Sequence, residues 1–414
     1  EEVSNLIRGL PDTKVKLGII RNNSSKPIYL DITRADIKVN PVEYEIIEKN
    51  IGYIKLKEFN PYSTKYIKEA LQEFDKKNIK VQLELDLIGE LWTDRPPVPA
   101  EKVFVHELKY AGLSRKEKLQ QLREKIQEKD ANVHLLSVLD DLAWLLNIRG
   151  NDVPHNPVTI AHLLITQETC YLCIDKGKIS PEMKSELIED GIQIKDYQEI
   201  ETLLQELQPE DRILLDPSQV NARLYYKINP QTTIIEDKNP TLLLKAVKNS
   251  VELENMKKVN IYDGVAMVKF TKWLKENVGK EEITELTAED TLEKFRRQHE
   301  ECVDISFDTI SAYKDHAAMM HYKATPESAY TLKPEGLYLV DSGGQYYGGT
   351  TDITRTIPLG PLTDEEKRDF TLVLKGHIAL SSVKFLHGAT GSNLDVLARQ
   401  PIWKYGMDYK CGTG

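Results

Sequence analysis

Residues 337–356 restrict the fold more than any other stretch of the chain. Leu337-Tyr338-Leu339-Val340-Asp341 is an apolar strand that ends in a carboxylate. Ser342-Gly343-Gly344-Gln345-Tyr346-Tyr347-Gly348-Gly349 follows as a glycine-rich return, and Thr350-Thr351-Asp352-Ile353-Thr354-Arg355-Thr356 is a second strand with a second carboxylate. If the two strands pair, Asp341 and Asp352 face each other at roughly 5 Å, the cross-strand spacing. Bare anions that close repel, so one of them takes a proton or a cation sits between them. Oxygen ligands at this spacing suit Mn²⁺ or Mg²⁺ better than a thiolate-preferring metal. The plainer reading ends a strand at Asp341 and leaves Asp352 in solvent. Both stand on the residues alone, although the burial expected of so apolar a strand narrows the choice.

Other chemistry-bearing residues are few. His321 lies in Ala317-Ala318-Met319-Met320-His321-Tyr322, twenty residues before Asp341. Read as a strand end, it is either a hydrogen-bonded core histidine or an imidazole that serves an activated water and a substrate carbonyl. His316 is read as structural. Cys170-Tyr171-Leu172-Cys173 has CxxC spacing, yet it sits in a β-like run without a second pair, so strand packing is the better account. Nucleophile-elbow, phosphate-loop, zincin and dinucleotide fingerprints are absent.

The segments around this site alternate in type. Residues 15–20 and 28–32 are β-like and flank Asn22-Asn23-Ser24-Ser25, a hairpin loop; residues 51–59 form another strand and 64–77 a helix. Arg95-Pro96-Pro97-Val98-Pro99 can continue neither helix nor central strand, so it reads as a linker. Residues 115–240 alternate helices (114–129, 181–189, 199–207) with strands (133–139, 161–165, 170–174, 212–215), and 143–148 is a short apolar segment; this favours an α/β domain. From 246 onward four helices are placed by their caps. Asn249 with Glu252 opens one that turns Leu253, Met256, Val259, Ala266, Phe270 and Trp273 inward; Thr287 with Asp290, Thr363 with Glu366 and Ser392 with Asp395 open the others.

Charge and composition exclude several classes. Fifty-five Lys and Arg against 65 Asp and Glu give −10, so nucleic-acid binding has no electrostatic support. The longest apolar run, residues 142–146, is far short of the roughly 18–20 residues of a membrane span. Four cysteines do not make a disulfide framework, which fits a reducing cytoplasm. The opening Glu1-Glu2-Val3 and the closing Cys411-Gly412-Thr413-Gly414 both read as cut ends.

From about residue 80 the chain resembles the aminopeptidase P (X-Pro aminopeptidase) branch of the creatinase/prolidase-like metallopeptidases. The resemblance is carried by Leu91-Trp92-Thr93-Asp94-Arg95-Pro96-Pro97, Ala143-Trp144-Leu145-Leu146-Asn147-Ile148-Arg149-Gly150, Lys245-Ala246-Val247-Lys248-Asn249, Ser306-Phe307-Asp308-Thr309-Ile310 and Met320-His321-Tyr322, and above all by the two carboxylate segments. It implies an α/β (α+β) architecture: a creatinase-type N-terminal domain over 100–245, then a "pita-bread" catalytic domain over 246–414, cut short at its C-terminus. It also implies two divalent metal ions, usually Mn²⁺, whose bridging hydroxide attacks the Xaa–Pro carbonyl and frees the first residue of peptides with Pro second. Asp341 would be the bidentate ligand of one metal, Asp352 would bridge both, and His321 would assist at the carbonyl. The family's remaining ligands, one His and two Glu, lie beyond Gly412-Thr413-Gly414, and Cys411 stands where many relatives have a His. A cytoplasmic homodimer acting on peptides, with no nucleic-acid or membrane partner, is the implied setting.

Residues 1–79 resemble something else, the end of the PDZ domain and the start of the protease domain of a C-terminal processing peptidase. Glu1-Glu2-Val3-Ser4-Asn5-Leu6-Ile7-Arg8-Gly9, Thr13-Lys14-Val15-Lys16-Leu17 and Ile51-Gly52-Tyr53-Ile54-Lys55-Leu56 carry it, and 80–99 would be the joining linker. For the metal site a magnitude matters. Two dications about 3.5–4 Å apart repel by roughly 17–19 kcal/mol at an effective dielectric of about 20, and two aspartates balance half of their charge. Little or no peptidase activity is therefore expected of these residues alone. A metal-free peptide-binding scaffold on the same fold is the non-enzymatic alternative, which paired carboxylates argue against; an Xaa-Pro dipeptidase (prolidase) is the enzymatic one.

Overall fold

The computed structural model describes residues 10–20, 27–35, 40–82, 85–409 and 411–413. The chain divides into two units, Glu1–Arg95 and Pro96–Gly414. In the first, β1 (Lys14–Ile19) and β2 (Ile28–Thr33) pair antiparallel, as do β3 (Val42–Ile47) and β4 (Ile51–Leu56). The loop expected at Asn22-Asn23-Ser24-Ser25 and the opening residues 1–9 lie outside the described residues. Helix Ser63–Lys76 packs on the second hairpin through Phe74, which meets Tyr44 edge-on at 5.8 Å. Gly52 makes this possible, since a Cβ there would stand 2.5 Å from the Phe74 ring. A one-turn helix, Leu87–Leu91, is capped by Asp86, and the prolines that follow it stay outside helix and strand.

The second unit begins with a short antiparallel pair, β5 (Phe104–Val105) with β7 (Ile148–Arg149). Its main sheet has six strands, β6 (Val133–Leu136), β8 (Ala161–Thr166), β9 (Cys170–Ile174), β10 (Ile192–Lys195), β11 (Arg212–Leu215) and β12 (Thr233–Glu236), in the order β10-β9-β8-β6-β11-β12. β8 runs antiparallel to both neighbours and the other pairings are parallel. Helix Arg115–Glu128 starts on a Ser114–Glu117 capping box and buries Leu119, Leu122 and Ile126. The apolar stretch at 143–148 straddles two elements. Helix Leu139–Leu146 carries Asp140 and Asp141 in its first turn and is buried from Asp141 to Leu146, and it stops where Asn147 takes a left-handed conformation (φ 50°) before β7.

Helix Ser250–Asn277 opens on the Asn249–Glu252 box and turns Val259, Ala266, Phe270 and Leu274 inward. Leu253 is exposed, contrary to expectation. The buried face passes through Asn255, and two residues correspond to about 200° around a helix, which carries Leu253 to the far side. Two cap assignments also change. Helix Glu285–Arg296 is capped by Thr284, with Thr287 as the partner three residues on. Helix Gly391–Trp403 is capped by Thr390 with Asn393, while Asp395 pairs instead with Arg399 at 2.6 Å. Helix Asp364–Ser382 has the Thr363–Glu366 box as read.

Between these helices lie β13 (Cys302–Ile305), β14 (Ile310–Tyr313), β15 (Leu337–Ser342), β16 (Gly344–Tyr346), β17 (Gly349–Thr350) and β18 (Ile353–Pro358). They form two antiparallel three-stranded sheets, β14-β15-β18 and β13-β16-β17. Phe270, Leu274, Leu292, Tyr338, Val340 and Ile357 form the core between the helices and the first sheet. Along β15 the inner face takes Tyr338, Val340 and Ser342, so Leu337, Leu339 and Asp341 occupy the other face. Among the described residues no helix is long and apolar enough to cross a membrane.

Candidate metal centre

β15 and β18 pair with Asp341 opposite Thr354 and Ser342 opposite Ile353. Asp352 therefore precedes the strand and sits on the diagonal from Asp341, on the same face of the ladder, rather than directly across from it. The physical reason is the return loop. Gly344–Tyr346 peels away as β16 to pair with β13 and β17, and this second small sheet displaces the register by two residues from the expected one.

Three contacts fix Asp352 through its neighbour Thr351, which is buried. The Thr351 amide donates to the Gly344 carbonyl at 2.9 Å, the Gly344 amide donates to Thr351 Oγ1 at 2.9 Å, and Ser306 Oγ donates to the Thr351 carbonyl at 2.8 Å. Gly343 allows that closeness: a Cβ on it would lie 1.9 Å from the Thr351 carbonyl oxygen. Asp341 accepts a 2.6 Å hydrogen bond from Thr354 Oγ1, which leaves its second oxygen available. The Asp352 carboxyl is held above the usual carboxylate range, first by burial and then by the Asp341 charge, although much of the residue is open to solvent.

His321 is exposed in a turn that follows the short 3₁₀ helix Lys314–Ala318, not at a strand end. The hydrogen-bonded histidine of this region is His316. Its Nδ1 lies 3.0 Å from Glu285 Oε1, and its ring stacks on Tyr330 at 3.7 Å and on Tyr322 at 4.4 Å. Glu285 is fully buried and also accepts from the Tyr313 amide, the Tyr330 amide and the Tyr322 hydroxyl. One carboxylate thus closes both ends of the segment that carries His321. Cys170 and Cys173 are buried in β9, and burial pushes both thiols up to about 12, in keeping with packing.

Asp352 also lies on the wall of a cavity of about 550 Å³, which neither Asp341 nor His321 lines. Its other walls include Tyr110, Trp144, Arg149, Gln345 and Tyr347. Gln345 reaches back to the first part of the unit, donating through Nε2 to the His155 carbonyl at 2.8 Å. Tyr346 OH donates to Asp263 Oδ1 at 2.9 Å, and Asp263 in turn is paired with Arg296 in full burial. Carboxylate oxygens that repel one another suit a hard divalent cation, so the two aspartates fit as part of its cradle. Among the described residues no third His, Cys, Asp or Glu joins them.

Gly343, Thr351 and Glu285 were not singled out from sequence. A glycine directly after a strand-end carboxylate is a signal for Gly343; nothing local marks Glu285, whose partners lie 28 to 45 residues away.

Residues 94–252 match the creatinase/prolidase N-terminal domain, and residues 254–414 match metallopeptidase family M24. A probable Xaa-Pro aminopeptidase P of Sordaria macrospora is 40% identical over 342 residues, covering 80% of this chain and 56% of that one. Aminopeptidase P1 of Lotus japonicus is 37% identical over 403 residues, covering 82% and 61%. The crystal structure of an X-prolyl aminopeptidase from Caenorhabditis elegans, described as a cytosolic enzyme with a di-nuclear active site, superposes with a TM-score of 0.76 at 31% identity over 84% of this chain and 58% of that one. The chain thus spans a little over half the length of the curated relatives it matches.

Proposed function

We propose, for a chain that belongs through residues 94–414 to metallopeptidase family M24 with its creatinase/prolidase N-terminal domain and pita-bread fold, that the whole protein is an Xaa-Pro aminopeptidase. The observation that carries this reading is the placement of Asp341 and Asp352 on one face of the β15–β18 ladder, with the Asp352 carboxyl raised first by burial and then by the Asp341 charge. In the proposal these two side chains hold divalent metal, Mn²⁺ first, together with ligands from elsewhere in the whole protein. Metal so held would supply Lewis-acid polarisation of the scissile carbonyl and an acidified water. His321, open to solvent on its turn, would donate a hydrogen bond to the carbonyl oxygen, and the Glu285 cluster would keep that turn in place. Residues 1–79 stand apart in this reading as a segment of a different protease family, with 100–245 and 246–414 as the two working domains and 80–99 as the link. A cytoplasmic homodimer is the proposed setting.

The test is release of the first residue from a tripeptide with Pro second by the full-length gene product loaded with Mn²⁺. The same peptide with Ala second should be a poor substrate, and an Xaa-Pro dipeptide should not be preferred. Absence of any release from the Pro tripeptide refutes the proposal. The 414-residue chain is expected to show little activity beside it, because two carboxylates offset only half the charge of two dications.

A further inference from the structure

The cavity beside Asp352 is lined by a partly buried cation that forms no ion pair among the described residues. Arg149 leaves helix Leu139–Leu146 through Asn147 and turns back, donating from Nη1 to the Ala143 and Ile148 carbonyls, both at 2.9 Å. Among the described residues it makes no ion pair. Its Nε and Nη2 have no partner there either, and the side chain lines the cavity. Burial depresses its pKa to about 10, which leaves it charged at neutral pH and poorly hydrated. Glu252, the carboxylate whose charge acts on Arg149, is engaged elsewhere: it accepts from the Asn249 amide at its helix start and from Trp144 Nε1. His106, packed close by, is held neutral, its pKa down to about 3 through burial and through the Arg149 and Lys118 charges. A second cation without an ion pair among the described residues, Lys248, stands exposed on the cavity wall. Another part of the lining is aromatic, with Tyr110 stacked on Tyr347 at 5.6 Å. Buried guanidinium groups are usually matched by a planar anion, and this one opens onto space of a size that takes small ligands.

We infer that this cavity is a subsite for the free C-terminal carboxylate of a short peptide, with Arg149 as the partly buried receptor, Lys248 as the rim charge and the Tyr110–Tyr347 stack as the apolar wall. The inference rests on the proposed peptidase reading and deepens it: the cation end of the cavity receives the leaving part of the substrate while Asp352 lies on the same wall as the reacting end. It favours short peptides with an unblocked C-terminus over amidated ones.

The experiment uses the metal-free 414-residue chain, titrated calorimetrically with Ala-Pro-Ala and with Ala-Pro-Ala-amide. The free acid should bind about tenfold more tightly. Lys248→Gln should narrow the ratio at little cost to folding, and Arg149→Lys should narrow it further by removing the fork. Equal affinities for acid and amide in the unsubstituted chain would overturn the inference, whatever the variants do. So would acetate or inorganic phosphate binding as tightly as the peptide, which would mark a free-anion site. Activity on Pro tripeptides by the full-length protein would survive either outcome, so the two proposals fail separately.

Discussion

Replacing Asp352 by Asn keeps the outline of the side chain and deletes one of two neighbouring charges. The diagonal position from Asp341 corresponds to a separation of about 7 Å. Coulomb's law then gives roughly 0.6 kcal/mol of repulsion at the dielectric of water and about 2.4 kcal/mol at an effective dielectric of 20. Asp352 is largely exposed, so the lower part of that range applies, about 1 kcal/mol. In the metal-free chain Asp352→Asn should therefore raise Tm, by about 2–4 °C if the domain melts cooperatively. The pH dependence has a definite sign. The folded Asp352 binds its proton more tightly than the unfolded one, so its contribution to stability is present below the unfolded carboxylate pKa and is lost as pH rises through the higher folded value. The parent should lose part of its stability over that interval, and Asp352→Asn should lose less. With excess Mn²⁺ the order reverses, because ligand that binds only the folded chain stabilises it and the parent has the better site. Differential scanning calorimetry with and without Mn²⁺ reads all of this. A metal-free variant that melts below its parent would mean that the Asp352 carboxylate is a structural acceptor, and equal Mn²⁺ shifts in the two proteins would remove the cation from the argument.

Gly343→Ala should cost roughly 1–3 kcal/mol in urea unfolding, since the added methyl meets a backbone carbonyl rather than a side chain that can swing away; an unchanged midpoint would contradict the tight approach at Thr351. Glu285→Gln should cost roughly 2–4 kcal/mol, because an amide cannot accept from four donors at once. Hydrogen exchange at the Tyr313 and Tyr330 amides should accelerate with it, and retained protection would show that the cluster does not hold the His321 segment.

Much of the architecture was legible because it is written in local signals. The Ser114, Asn249 and Thr363 boxes mark helix starts through contacts three residues apart, and β8, β9 and β11 are apolar runs bounded by turns. Short elements such as β10, β12 and helix Ala222–Lys227 escaped, since four to six half-buried residues carry too little periodicity to separate strand from loop. At the Thr284 and Thr390 caps the misreading has one cause: several Ser, Thr, Asn and Asp residues lie within four positions, and any of them could begin a box. The pairing of β15 with β18 was legible from the carboxylate segments, but their register was not. It depends on β16 pairing with β13, forty residues upstream, and no pattern within the hairpin reports that. The Glu285 cluster was hidden for the same reason, as was the lack of an ion pair for Arg149 among the described residues, which only the third dimension reveals.

Gln345 belongs to the loop that joins the two acidic positions, and it is also the residue that grips the His155 backbone. A tilt of the six-stranded domain would therefore pull on the very link that spaces the aspartates. If the two aspartates hold a cation, substitutions around Asn151–Asn156, more than 180 residues upstream of both, would tune its affinity from a distance. Selection for the shape of the cavity and selection for the spacing of the ligands would act on a single mechanical element, so neither could drift without the other.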